Sequence, residues 1–326
     1  MSTIEKKVAS ISISGEMTLN LHSLNNEGGE GNQIMTRQLT IVDKNGKEAT
    51  VTGISGDMFK HIHAGHMINY CVEHEISLSD YSKRLDPNRI SSSELKDTAG
   101  RNDQSQSDVV DALIKKCAIC DAHGVLITDK IGENKSSSNT PRKSVVEFAW
   151  TVGIPEKNNT ETYVHTKLVA DAGEKGSATK SNEGQNIFHR PANYGVYAFV
   201  CNVDCYRIGL NDISRKYPIA DDERKKRYQA ILQSLLSSFL NPKGAMTSTQ
   251  KPHITDFNGV VSVSHKLIPA PTISALNDKY LTEIESIKKG LNSIEKDAVE
   301  TFSFSGFGQL SEIIANLITE SPYKIN

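Results

Sequence analysis

Residues 8–22 alternate between apolar and polar positions with unusual regularity. Ile11, Ile13, Gly15, Met17, Leu19 and Leu21 share one face, while Ser10, Ser12, Ser14, Glu16, Thr18, Asn20 and His22 share the other. A period of two over this length predicts a long strand with one buried face and one polar, neutral face offered to solvent or a ligand. The Asn25–Asn32 stretch, rich in Gly and Asn, reads as a loop. Strands are predicted at 36–42 and 47–54, joined by Asp43-Lys44-Asn45-Gly46, in which Asn-Gly is a strong hairpin signal. Ser55 is placed to cap a helix over 57–75.

Further along, 77–106 is polar and irregular and reads as an insertion. A short helix is expected over 109–120, with strands at 125–128 and 145–152. Asp171 to Gln185 holds no large apolar residue, so it cannot contribute to a core. Strands are predicted at 195–201, 205–210 and 258–268. In the 221–240 helix, Tyr228, Ile231, Leu232, Leu235 and Phe239 form one stripe. Tyr280, Ile284, Ile287, Leu291, Ile294 and Ala298 step by four and three through a helix over 274–299, and a last helix covers 309–319. Strands and helices mixed in this way, with long polar insertions, predict an α+β fold.

Composition narrows the class. The chain has 326 residues, 37% hydrophobic and 23% charged, as expected of a soluble globular protein with a sizeable core. No apolar run approaches the roughly eighteen residues of a membrane span, and the polar start lacks the apolar stretch of a secretory signal. Five cysteines in a long chain imply free thiols and a cytoplasmic location. The net charge of −2 argues against a uniformly basic nucleic-acid coat but leaves room for a local basic groove.

Several segments bear candidate chemistry. His61, His63 and His66 invite a metal, but their spacing does not match a zincin helix, and no third ligand lies beside His63 and His66. Hydrogen-bonded core histidines are one alternative; Lys60 and His61 at a helix start, suited to a phosphate backbone, fit better. Cys117, Cys120 and His123 resemble half a zinc site; buried thiols followed by a turn is the alternative. Glu27, Glu30, Asp57 and Asp121 lie near glycines but form no convincing catalytic pair, and no Walker loop, nucleophile elbow or dinucleotide fingerprint is present. The expectation is therefore no catalytic residue, no metal and no cofactor. The polar 171–194 segment ends on Phe188, His189, Arg190, Asn193 and Tyr194, suited to stacking on bases and bonding phosphates, or to a surface loop returning to the core. Arg142 and Lys143, after Lys130 and Lys135, close a basic loop that suits RNA or, equally, solvent.

Four blocks in order resemble the backbone subunits of type I CRISPR interference complexes, the DevR group. They are Ser12 through His22 to Asn32, Ile54 to Met67, Cys117-x-x-Cys120-Asp121-x-His123-Gly124, and Asn186 to Gly195. Lys251 to His253 and Ile268 to Ser274 extend the likeness. The resemblance implies a single domain with an RRM-like, ferredoxin-like palm over about 6–76, 112–170 and 191–326. A finger-like insertion would occupy about 77–111 and a flexible thumb-like arm about 171–190. It implies an antiviral, non-catalytic subunit that coats the spacer part of a guide RNA (crRNA) and supports target recognition in a Cascade complex. The partners implied are guide RNA, a target nucleic acid strand, further copies of itself in a head-to-tail helical row, and other Cascade subunits, with no membrane. His22, Asn25 and Asn32 would lie near the guide backbone, joined by Lys60, His61 and His63 from the helix. Arg142, Lys143 and Arg190 would neutralise phosphate, with Phe188 and Asn193 beside them. Two other readings stay open: an endoribonuclease of the related type III kind, cutting target RNA through a loop Asp, and a regulator acting on duplex DNA.

Overall fold

The computed structural model describes residues 6–43, 45–89, 105–127, 140–168 and 185–325. The first half holds strands β1 (Lys7–Val8), β2 (Ser10–His22), β3 (Asn26–Glu30), β4 (Gln33–Thr36), β5 (Gln38–Val42) and β6 (Glu48–Ile54), followed by helices α1 (Gly56–Glu73), α2 (Asp80–Lys83), α3 (Gln106–Lys116) and α4 (Ala118–His123). Short strands β7 (Val125–Ile127), β8 (Thr140–Arg142) and β9 (Val146–Phe148) lead into two long ones, β10 (Thr151–Leu168) and β11 (Gln185–Val203). The chain ends with α5 (Asp221–Leu240), β12 (His253–Ser264), α6 (Tyr280–Ile294), β13 (Val299–Ser305), α7 (Gly306–Thr319) and β14 (Ser321–Pro322).

One large sheet organises the fold, in the order β13-β12-β2-β11-β10-β6-β5. Its centre is β12-β2-β11-β10, antiparallel at every step. In chain order these strands and the two longest helices between them read β2, α1, β10, β11, α5, β12, so the fourth strand lies beside the first and the third beside the second. The apolar positions of β2 do what their alternation predicts as far as Leu19, whereas Leu21, at φ 53°, is exposed. Ile11, Ile13, Met17 and Leu19 are buried in the main core with Phe59 and Met67 of α1, Tyr228, Ile231 and Leu235 of α5, and Leu310 and Ile314 of α7. A second, smaller core lies on the opposite sheet face, where Tyr280 and Ile284 of α6 pack on Ala198 and Val260.

The structure revises several expected elements. The Asn25–Asn32 loop is mostly a hairpin, β3–β4. The helix expected over 109–120 is two helices broken at Cys117, whose backbone is extended (φ −149, ψ 112). Residues 205–210 hold a 3-10 turn at Cys205–Arg207, not a strand. The 274–299 helix contracts to Tyr280–Ile294, and β13 follows it. Residues 90–104 of the expected finger and 171–184 of the expected arm lie outside the described residues, as do Lys130 and Lys135 of the basic loop. The rest of the arm, 185–190, is the start of β11.

The β10–β11 hairpin depends on irregular backbone. The register shifts between Gly153 and Asn158 of β10, where Glu156 adopts a positive φ of 67°. Opposite, Gly195 adopts φ 140°, and a Cβ there would stand 2.2 Å from Lys157 O. Only glycine permits both that dihedral and that approach.

Candidate nucleic-acid interface

The sheet face opposite the main helices is covered at one end and open at the other. Along β11, odd-numbered Tyr197, Phe199 and Cys201 enter the main core, so even-numbered residues face the other way. At the covered end, Thr272 Oγ1 lies 2.7 Å from Ser12 Oγ and 3.0 Å from Asn202 Oδ1. Ser10 Oγ accepts from Ala270 N at 2.9 Å. The serine side of β2, expected to face a ligand, is thus buried from Ser10 to Ser14 beneath this returning segment; exposure begins only at Glu16, Thr18 and Asn20.

At the open end the β10–β11 register places Asn159 beside Tyr194, Tyr163 beside Arg190 and His165 beside Phe188. Directly paired residues point to the same side. His165 and Phe188 stack with ring centroids 5.6 Å apart and planes 16° apart. The Arg190 guanidinium lies 4.7 Å from the Phe188 centroid and donates through Nη1 to Thr249 Oγ1 at 3.2 Å. Tyr163 OH donates to Glu161 Oε2 at 2.6 Å, and the ring stays 43% exposed. Aromatic faces interleaved with a cation on a rigid sheet can stack bases and bond a phosphate without reading base edges.

The remaining sequence-predicted residues have varied fates. Asn32 is exposed and ties β4 to β11: its Nδ2 donates to Ile187 O at 3.0 Å and its O accepts from His189 N at 2.9 Å. His61 is exposed on α1, whereas Lys60 is half-buried and its pKa is lowered, foremost by burial. Lys60 lines a cleft of about 240 Å³ with Asp57, Glu147, Phe148 and Trp150. Lys143 is exposed, 3.1 Å from Glu147 Oε1. The helix start behaves as its sequence predicts, with Ser55 Oγ accepting from Met58 N.

Five residues expected at the RNA are instead interior and bonded within the chain. His22 bonds the Tyr197 hydroxyl through Nε2 at 2.9 Å; burial drives its pKa down to about 3. Asn25 Oδ1 accepts from Ser55 N at 2.7 Å, fixing the entry to α1. Asn193 Oδ1 accepts from Thr36 and Thr160 hydroxyls at 2.9 and 2.7 Å, clamping three strands. His63 Nε2 donates to Ile231 O at 3.0 Å, which leaves Nδ1 to accept from His123 Nε2 at 2.8 Å. Burial lowers the His63 pKa to about 4 and takes that of His123 well below the ordinary value. Arg142 donates to Asp121 Oδ1 at 2.6 Å, Asp212 Oδ2 at 2.7 Å and Arg207 O at 2.9 Å, with its side chain wholly buried. Polar groups buried this way serve the interior that satisfies them.

The same network accounts for the conspicuous Asp121. Its Oδ2 accepts from Arg227 Nη1 at 3.1 Å and from Gly209 N at 3.0 Å. Gly124, which ends α4 at φ 68°, has room for no Cβ, since one would stand 2.3 Å from Arg142 O. Cys117 caps α4 by accepting from Cys120 N at 3.4 Å; all five cysteines are free and buried. Among the described residues no three His, Cys, Asp or Glu side chains gather as metal ligands. Sequence reasoning missed Tyr163 and His165, although Glu161-x-Tyr163-x-His165 carries the period-two signal that would have found them.

Known proteins resemble this chain over most of its length. A family model described as CRISPR-associated negative auto-regulator DevR/Csa2 matches residues 13–285. A CRISPR-associated protein Cas7/Cst2/DevR from Methanocaldococcus jannaschii is 27% identical over 330 residues, covering 96% of this chain and 99% of that protein. A chain of a solved CRISPR RNA-guided surveillance complex, in a pre-nicking state, matches with TM-score 0.50 and 12% identity over 95% of this chain and 99% of its own. A second chain, from a CRISPR RNA-guided surveillance complex, has TM-score 0.46 and 12% identity, over 95% and 98%.

Proposed function

The chain belongs to the DevR/Csa2 family of CRISPR-associated proteins, and from that premise we propose that it is a non-catalytic subunit that coats the spacer part of a guide RNA in a Cascade-like complex. The observation that carries this reading is the open end of the sheet, where Tyr163, His165, Phe188, Tyr194 and Arg190 lie on one face of β10 and β11. A coat must accept any guide sequence, so it should hold base faces, sugar and phosphate in preference to base edges. The strand order of the central sheet, with the fourth strand beside the first, supports an RRM-like palm.

Copies would bind head to tail, a heterologous contact that extends along a strand instead of closing, so guide length would limit their number. A target strand would pair with the guide held on this surface. Asp121, one of the four acids that sequence reading places near glycines, is held by Arg142 and Arg227 and has no face toward solvent. The test is titration of the purified protein with homopolymer RNAs of equal length at low salt. Similar affinities for all, each with a steep salt dependence, are expected. Specific binding to one duplex DNA would favour the regulator instead, and regularly spaced RNA cleavage abolished by one Asp→Ala change would favour the nuclease.

A further inference from the structure

On the open sheet face one group looks out of place. Glu161 puts a carboxylate beside the aromatic residues, where it repels a polyanion. Its two oxygens are both engaged. Oε2 accepts from Tyr163 OH at 2.6 Å, and Oε1 accepts from Tyr194 OH at 3.5 Å, at the outer limit of a hydrogen bond. Tyr163 lies two residues on along β10, while Tyr194 comes from β11. One carboxylate therefore ties together two aromatic rings carried by neighbouring strands.

We infer that Glu161 is a positioning residue that holds Tyr163 and Tyr194 as a paired base-stacking platform and keeps phosphate off it, a role that rests on the RNA-binding reading above. Three consequences follow from the geometry. Each ring loses freedom before a base arrives, so less entropy is lost on stacking. Both phenol donors are spent on Glu161, so the rings offer their faces but no hydrogen-bond donor to base edges, which keeps stacking less sensitive to sequence. The negative charge displaces the RNA backbone toward Arg190, which is paired in register with Tyr163 on the adjacent strand. Bases would lie over the tyrosines with phosphate on the Arg190 side.

The test uses the full chain and homopolymer RNAs of uridine, adenosine and cytidine, some carrying 2-aminopurine to report stacking by its quenched fluorescence. Wild type is expected to bind all three with quenching. Glu161→Ala should weaken all three by about tenfold, within the range that stacking one base supplies, with quenching lost and the salt slope unchanged. Tyr163→Phe with Tyr194→Phe keeps the rings but frees them, and should reproduce that loss. Glu161→Gln keeps one acceptor oxygen and should fall between. Wild-type affinity and quenching in Glu161→Ala would overturn the inference, as would tighter binding with a steeper salt slope, which would make Glu161 a mere repulsive charge. Failure of the wild type to bind any RNA would instead remove the reading beneath it.

Discussion

Replacing Arg142 by alanine separates the interior role found for this residue from the phosphate contact that its sequence context suggests. The guanidinium joins Asp121, Asp212 and the Arg207 carbonyl, and its side chain has no exposed surface. Truncation leaves Asp121 with Arg227 and the Gly209 amide, and leaves Asp212 with Arg207. Breaking a buried pair by removing one partner costs about 3–5 kcal/mol, and the remaining partners place the expected loss near the lower end. At roughly 2 °C or more per kcal/mol for a chain of this size, the melting temperature should drop by about 6 °C. Arg142→Lys should recover little, because one ammonium cannot span two carboxylates as a planar fork does. Thermal melts followed by circular dichroism give the stability; RNA titration well below the melting point gives the function. The account expects a large stability loss with RNA affinity and salt slope retained in the folded protein. An undiminished melting temperature together with a salt slope lower by about one would refute it and return Arg142 to the phosphate.

Other perturbations report on separate features. Burial lowers the His63 pKa to about 4, so the unfolded chain takes up the proton first as pH falls. Stability is complete above about 6.5 and lost between 6.5 and 4, by about 3 kcal/mol for this residue alone; a melting temperature flat across that window would exclude the neutral His63–His123 pair. His22, lowered to about 3, adds a loss that continues further into acid. Gly195→Ala places a Cβ 2.2 Å from the Lys157 carbonyl at φ 140°, and should destabilise by about 1–3 kcal/mol or more; hydrogen exchange faster across 185–203 than elsewhere checks it, and uniform exchange contradicts it. Arg190→Ala combined with Lys60→Ala should weaken all RNA sequences alike and lower the salt slope, whereas a loss confined to one sequence would contradict the phosphate assignment.

What could be read from the sequence follows the physics of each element. Strand β2, the Asn45-Gly46 turn and the Ser55 cap were legible because each rests on local chemistry: alternation, left-handed dihedrals and a side-chain acceptor for orphan amides. Strand β10 was only partly legible. Its stretch from Asn158 to Thr162 is polar on both faces, so pairing with β11 and not burial makes it a strand. His22, Asn25 and Asn193 were recognised as special, but the reason was hidden. Their partners Tyr197, Ser55 and Thr36 lie 30 to 175 residues away, and nothing local separates a polar group awaiting a ligand from one already satisfied. Phe188 and Arg190 were legible as residues suited to bases and phosphate, whereas their mutual contact and the meaning of Tyr163 and His165 came only with the strand register.

The central claim is that the chain coats RNA in copies set by the length of the strand. Light scattering with size exclusion, on protein mixed at low salt with single-stranded RNAs of increasing length, measures this directly. The account predicts complexes whose mass rises stepwise with RNA length and whose 260/280 absorbance ratio rises with it, independently of sequence. Protein that elutes free of RNA at one unchanging mass would contradict it.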